Sequence, residues 1–301
     1  MRILFITATR IGDAVISTGL LRHLVSCYPG AEITIACGPL AQSLFAAVPG
    51  LKEVIVLEKK PIGAHWPSLW SKVVPTRWDL IVDLRRSLIS YLVSTKKRAR
   101  LGPDDRRLHR VEFLSTLFEL DLPSTPKIWT TTAHQEKAQE LISEESPFIA
   151  LAPIAARSEK TWPLDHFVTL IQRLTRSDGI LPKANAMVIG AEQDRARLEE
   201  FASKLDAEHL PGLIGCPDLL TVYSVLARAS LVIANDSGIG HLAAATGRPT
   251  ASLFGPTQPD LYRPWGKSVA VAQAPLNEKG RKMKDLTVGT VFEAIETVLN
   301  S

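Results

Sequence analysis

Three short stretches of this chain carry side chains able to move a proton or hold an anion. The first is Thr9-Arg10-Ile11-Gly12-Asp13, a glycine and a carboxylate directly behind an apolar run. A carboxylate at the start of a helix can act as a cap or as a general base, and Gly12 lets a substrate approach the backbone. The second is Ala152-Pro153-Ile154-Ala155-Ala156-Arg157-Ser158-Glu159-Lys160-Thr161-Trp162-Pro163. It ends where a helix must begin, so free N–H groups and the cations of Arg157 and Lys160 converge on a site suited to a diphosphate. The alternative there is an exposed basic loop anchored by Trp162. The third is Asn235-Asp236-Ser237-Gly238-Ile239-Gly240-His241, small residues that admit a phosphate or ribose close to the main chain. Asp236 is placed to orient that backbone, and His241 follows the Ser237 hydroxyl by four residues. The usual fate of a lone histidine is structural, but this place in a glycine-rich turn behind Ser237 gives a ligand role equal standing. Phe254-Gly255-Pro256-Thr257 adds a rigid turn whose hydroxyl can meet the same ligand.

These stretches need elements to position them, and the hydrophobic pattern supplies them. Ile3–Ile6 reads as a buried strand, followed by a helix with Ala14, Ile16, Leu20, Leu21 and Leu24 at helical spacing and a stop at Pro29-Gly30. Further strands are expected at Glu32–Cys37, Glu53–Leu57 and Leu80–Asp83, with periodic segments at Ala41–Ala47 and Val111–Leu120. After the polar stretch Ser143–Pro147 the rhythm restarts. Strands are expected at Phe148–Leu151, Ala186–Ile189, Leu231–Ala234 and Pro249–Leu253. Helices are expected at Leu164–Thr175, Arg195–Leu205, His241–Thr246 and Val288–Leu299. Alternating strands and helices imply an α/β fold of two doubly wound, mostly parallel sheets. Ligands of such sheets bind outside the carboxyl ends of the strands, so the three loops are expected to open on one cleft.

Composition narrows the function classes. The 301 residues suggest two domains, and 46% hydrophobic with 22% charged residues is ordinary for a globular chain. Cys27, Cys37 and Cys216 form no CxxC pair, which argues against a disulfide framework or a zinc cage and for a reducing cytoplasm. The apolar run Ile3–Ile6 is too short for a signal peptide, and nothing approaches the roughly 20 apolar residues of a membrane span. No GxxxxGK[ST], GxGxxG, HExxH or GxSxG motif is present, so neither an NTPase, a dinucleotide enzyme, a zinc protease nor an α/β-hydrolase is supported.

Charge is uneven. The net of +4 resides in residues 1–150, and nine basic residues between Arg85 and Arg110 face only Asp104 and Asp105. That run includes Arg85, Arg86, Arg106, Arg107 and Arg110 and points to an anionic partner, against the alternative of a solvated helix face and charged loop. Its only aromatic residue is Tyr91, so the stacking platforms of a nucleic-acid binder are missing.

The chain resembles glycosyltransferase family 9, the bacterial heptosyltransferases of lipopolysaccharide core assembly. The likeness rests on Arg2-Ile3-Leu4 with Gly12-Asp13, on Asp79-Leu80-Ile81-Val82-Asp83-Leu84-Arg85, on Lys160-Thr161-Trp162-Pro163, and on Asn235-Asp236-Ser237-Gly238 through His241-Leu242-Ala243-Ala244-Ala245 into Leu253-Phe254-Gly255-Pro256-Thr257. The resemblance implies a GT-B architecture of two Rossmann-like domains: an acceptor-binding domain over 1–146, a nucleotide-sugar domain over 147–285, and a terminal helix, 286–301, packing back on the first. It implies inverting, metal-independent transfer of heptose from ADP-heptose to the acidic, lipid A-linked inner core, with no cofactor, by an enzyme peripheral to the cytoplasmic face of the inner membrane. By that likeness Asp13 deprotonates the acceptor hydroxyl and Lys160 neutralises the leaving diphosphate. Gly12, Ala155, Ala156, Arg157, Asp236, Ser237, Gly238, His241 and Thr257 hold the donor. Arg10, Arg85, Arg86, Arg106, Arg107 and Arg110 serve the acceptor. Two positions depart from the family pattern: Val222 stands where a glutamate commonly reaches the nucleoside, and Ala155-Ala156 stand where hydroxyl or amide side chains are common. Transfer of another nucleotide-activated hexose or N-acetylhexosamine, or an inert nucleotide-sugar-binding relative, are the competing readings.

Overall fold

A computed structural model describes residues 1–58, 63, 65–103, 105, 107–142, 147–205, 212–216 and 218–300. Contacts divide the chain into two units, Met1–Trp129 and Thr130–Ser301.

In the first unit, strands β1 (Arg2–Ile6), β2 (Glu32–Cys37), β3 (Leu51–Val56), β4 (Trp78–Asp83) and β5 (Thr95–Arg100) form a parallel sheet in the order β3-β2-β1-β4-β5. Helices α1 (Ile11–Cys27), α2 (His65–Val73), α3 (Ile89–Leu92) and α4 (Arg110–Ser115) are the described helices of this unit. Ile3, Leu4, Phe5 and Ile6 are fully buried, as a central parallel strand covered on both faces requires. The chain winds from β1 to β3 on one side, then crosses to β4 on the other. The order therefore reverses between β1 and β4, the switch point at which open α/β sheets bind ligands.

The second unit repeats this plan. Helix α5 (Thr132–Leu141) precedes β6 (Phe148–Ala152), α6 (Leu164–Thr175), β7 (Asn185–Gly190), α7 (Arg195–Ala202), β8 (Leu213–Ile214), α8 (Leu219–Leu226) and β9 (Leu231–Asn235). There follow α9 (Gly238–Ala244), β10 (Thr250–Phe254), α10 (Pro259–Tyr262), β11 (Val269–Gln273) and α11 (Val288–Leu299). The parallel sheet has the order β11-β10-β9-β6-β7-β8, so its switch point lies between β6 and β9. Its core gathers Trp162, Phe167, Leu198, Ile233, Leu253, Phe292 and Ile295.

The junction expected at residue 146 follows α5, but α5 packs on α8 and belongs with the second unit. Helix α11 packs on β10, β11 and α6, where Val291, Phe292, Ile295 and Val298 are buried. The periodic segment 41–47 forms two single 3₁₀ turns at Pro39–Ala41 and Ser43–Phe45, and 111–120 is α4 continued by a 3₁₀ turn, Thr116–Phe118. Among the described residues no helix is long and apolar enough to cross a membrane.

Candidate active site

Asp13 is the third residue of α1, so its carboxylate meets the positive end of the helix dipole. It is not the cap: Arg10 is the N-cap residue, and its side chain makes no capping hydrogen bond. Asp13 and Gly12 are half-buried and Arg10 is exposed. Among the described residues, no group forms a hydrogen bond or ion pair with the Asp13 carboxylate, which leaves it available to an incoming hydroxyl. The turn beneath it is fixed. The buried Thr7 hydroxyl donates to Ser17 Oγ at 2.7 Å, and Ser17 Oγ donates to the Ala14 carbonyl at 2.7 Å. Gly38, after β2, donates its N–H to the Ala8 carbonyl, and a Cβ there would fall 2.6 Å from Thr9 Cα. Only glycine allows that approach, so Gly38 positions the loop that carries Asp13, a role with no signature in the sequence.

The neighbouring loop, after β4, is tied by the fully buried Asp83. Its Oδ1 accepts from the Arg85 N–H at 2.9 Å and its Oδ2 from the Ser87 hydroxyl at 2.9 Å. Arg85 and Arg86 are exposed here, on the far side of the β1/β4 switch point from Asp13, and Arg86 adopts a left-handed φ of 54°. The rest of the basic run does not act as one surface. Lys96 pairs with Asp79 at 2.7 Å and Arg107 with Asp105 at 2.8 Å. Arg98 donates to the carbonyls of Ser90 and Val93. Arg110, half-buried at the start of α4, places its guanidinium over Phe113 at 5.2 Å. Arg106 lies outside the described residues.

In the second unit three loops meet. Lys160 Nζ donates to Asp236 Oδ2 at 2.6 Å, and Thr257 Oγ1 donates to the same oxygen at 2.6 Å. These residues follow β6, β9 and β10, which lie side by side in the sheet, so 76 residues of sequence separation closes into one contact. The side chains of Lys160 and Asp236 are 19% and 9% exposed. A pair so nearly buried contributes little net stability, because desolvation offsets its attraction. It does hold a cation in a fixed place. One of the three ammonium N–H donors goes to Asp236, and no other acceptor among the described residues takes the remaining two.

Asn235 staples the same loops. Its Nδ2 donates to the Pro153 carbonyl at 2.6 Å and its Oδ1 accepts from the Trp162 N–H at 3.1 Å. Fully buried Trp162 also donates its indole N–H to the Leu286 carbonyl at 2.9 Å. Ser237 is the N-cap residue of α9, yet its buried hydroxyl finds no partner among the described residues. A buried polar atom without a partner is costly unless a ligand completes it. His241 lies in the first turn of α9 with a buried ring, and Gly238 opens that helix.

Two expected donor contacts are engaged elsewhere. The Ala155 N–H donates to Thr161 Oγ1 at 3.2 Å. Arg157 pairs with Glu159, whose carboxyl is held below its ordinary range by its own backbone N–H and by that guanidinium. Val222 is buried on α8, so its side chain faces the protein interior. Ala155 and Ala156 line a 430 Å³ cavity together with Arg197 and Lys284, two cations on separate elements that no sequence motif singled out. Among the described residues no group of three or more His, Cys, Asp or Glu is placed to hold a metal.

Two Rossmann-like domains, each with chemically able side chains at its switch point, form the GT-B architecture of glycosyltransferases. The chain matches the model of glycosyltransferase family 9 (heptosyltransferase) over residues 93–289 and belongs to that family. It is 26% identical to lipopolysaccharide heptosyltransferase 2 of Salmonella typhimurium over 306 residues, covering 88% of this chain and 85% of that protein. It is 25% identical to lipooligosaccharide heptosyltransferase 2 of Haemophilus ducreyi over 315 residues, covering 90% and 88%. Its fold is shared with a family 9 glycosyl transferase from Veillonella parvula at a TM-score of 0.82, 20% identity and 99% and 97% coverage. Escherichia coli ADP-heptose lps heptosyltransferase II superposes at 0.80, with 22% identity and 100% and 99% coverage.

Proposed function

We propose that this glycosyltransferase moves heptose from ADP-heptose to the acidic, lipid A-linked inner core of lipopolysaccharide, with inversion and without a metal. The observation that carries the reading is the Lys160–Asp236–Thr257 contact at the second switch point, where a fixed cation meets the N-cap of α9. Membership of a heptosyltransferase family and the likeness to lipopolysaccharide heptosyltransferases support the sugar, and the likeness to an ADP-heptose heptosyltransferase supports the nucleotide.

The chemistry follows from the groups. Asp13 accepts the proton of the acceptor hydroxyl as its oxygen attacks the anomeric carbon. The bond from that carbon to the diphosphate oxygen breaks on the opposite face, its electron pair leaving with ADP through an oxocarbenium-like state. Lys160 meets the charge that develops on the departing phosphate, which is the task a metal performs elsewhere. Gly12, Ala155, Ala156, Asp236, Ser237, Gly238, His241 and Thr257 surround the donor, and Arg157 reaches it on leaving Glu159. Arg10, Arg85 and Arg86, with Arg106, Arg107 and Arg110, attract the carboxylates and phosphates of the acceptor. A lipid-linked acceptor implies an enzyme working against the inner face of the bacterial inner membrane.

Calorimetry with ADP, UDP, GDP and dTDP in the presence of EDTA tests this. Selective ADP binding is expected, weakened at least about ten-fold by Lys160→Ala. Asp13→Asn is expected to lower turnover by about 10²–10⁴ while leaving ADP affinity unchanged. Preference for another nucleotide would replace the donor, and loss of ADP binding in Asp13→Asn would make that residue structural.

A further inference from the structure

The short helix α3 is built inside out. Ile89, Ser90 and Val93 are buried beneath it, while Leu88, Tyr91 and Leu92 are 71%, 59% and 60% exposed. These three stand at i, i+3 and i+4, so they share one side of the turn and present it to solvent. Trp70 of α2 extends the patch: it is 41% exposed and donates its indole N–H to the Leu92 carbonyl at 3.2 Å. Scattered exposed apolar residues are ordinary, but three large ones on one turn with a fourth from the neighbouring helix beside them are not.

The patch is also held rigid. Arg98 Nε donates to the Ser90 carbonyl at 2.5 Å and Arg98 Nη2 to the Val93 carbonyl at 3.3 Å, closing the carboxyl end of α3 from the adjacent strand. Arg100 donates to the Arg86 carbonyl at 2.7 Å and lies over the Tyr91 ring at 5.1 Å. The residues leading into the turn, Arg85 and Arg86, are exposed cations. The described carboxylates nearest in sequence are already satisfied, Asp79 by Lys96 and Asp83 by Ser87 and the Arg85 N–H.

We propose that the Leu88–Leu92 turn with Trp70 is a docking wedge for an anionic bilayer surface: its leucines enter the acyl boundary, its aromatic rings lie at headgroup depth, and Arg85 and Arg86 meet lipid phosphates. Two leucines and two amphipathic rings give the apolar signal and the arginines the electrostatic one, and stable peripheral binding needs both. A protein partner would equally cover the leucines, but the exposed cations of Arg85 and Arg86 and the Arg100 guanidinium over Tyr91 favour a surface of anionic headgroups. The inference deepens the reading of a lipid-linked acceptor by naming the surface that meets the membrane.

Co-sedimentation with acceptor-free vesicles separates the two. The full chain is expected to bind phosphatidylglycerol-containing vesicles in a salt-sensitive way and phosphatidylcholine vesicles weakly. Leu88→Ser/Leu92→Ser is expected to lower partitioning at least about ten-fold while turnover of a delipidated acceptor stays within about two-fold. A double variant that partitions like wild type, or a wild type that ignores both vesicles, overturns the wedge. So does a wild type that self-associates through this turn and binds no lipid. Absence of turnover on the delipidated acceptor would count against the proposed reaction instead, since vesicle binding requires no acceptor.

Discussion

Asn235 uses both ends of its amide on neighbouring loops, reaching Pro153 with its donor and Trp162 with its acceptor. The cation site depends on that bridge, because Pro153 and Trp162 bracket the loop that carries Lys160, and residue 236 follows directly. Replacing Asn235 with alanine leaves a buried carbonyl and a buried N–H unpaired, each costing about 1–3 kcal/mol. Asn235→Ala is therefore expected to lower unfolding stability by roughly 2–4 kcal/mol in a urea titration, with an unchanged m-value. A loss within about 0.5 kcal/mol would show that the two loops are held by the Trp162 indole and the core alone. Asp236 differs in kind. Its Oδ2 receives both the Lys160 ammonium and the Thr257 hydroxyl, so its role is to aim a cation rather than to join two strands.

At the scale of elements, strands were legible where burial on both faces produced continuous apolar runs. Glu32–Cys37, Leu164–Thr175 and Val288–Leu299 coincide with β2, α6 and α11. β5 was hidden because Thr-Lys-Lys-Arg-Ala-Arg reads as a charge run; as the edge strand it needs only one buried face and uses its charges to discourage further pairing. α3 was hidden because four residues cannot show a helical period. The candidate residues Asp13, Lys160, Asp236 and Thr257 are legible since each follows an apolar strand, whereas the contacts of Arg98 with carbonyls, of Arg107 with Asp105 and of Arg157 with Glu159 depend on distances no pattern encodes. Asp79 illustrates such a hidden tie. It accepts from the Arg2 N–H at 2.8 Å and pairs with Lys96 at 2.7 Å, fastening β1 and β5 to β4. Lys96, then the Arg2 N–H, hold its carboxyl down at about 2. A depressed carboxylate stabilises the fold above its unfolded value of about 3.9 and loses that contribution as pH falls toward 2. The stability difference between wild type and Asp79→Asn should therefore be present at pH 6 and be lost as pH falls through about 2, as followed by denaturant midpoints. A difference independent of pH would assign the effect to hydrogen-bond geometry alone.

For the whole molecule, each unit has its own sheet and its own switch point, and the second carries all the proposed donor residues except Gly12. Lys160, Asp236, Ser237 and Thr257, the Asn235 staple and the Trp162 anchor all lie within Thr130–Ser301. A domain with its own core can fold alone. Fragment 130–301 is thus expected to unfold cooperatively and to bind ADP within several-fold of the full chain. The same fragment with Lys160→Ala should bind ADP about ten-fold more weakly. The cut position decides the outcome. α5 packs on α8, and His134 Nε2 lies 3.6 Å from the carboxylate of Asp218, the N-cap of α8. A fragment beginning at residue 147 uncovers α8 and should melt lower than 130–301. ADP at 100 times its Kd should then raise the stability of the longer fragment by about 2.7 kcal/mol, because only the folded form binds it. If neither fragment binds while the full chain does, the donor site draws on residues before 130, and the two units are one binding entity rather than two.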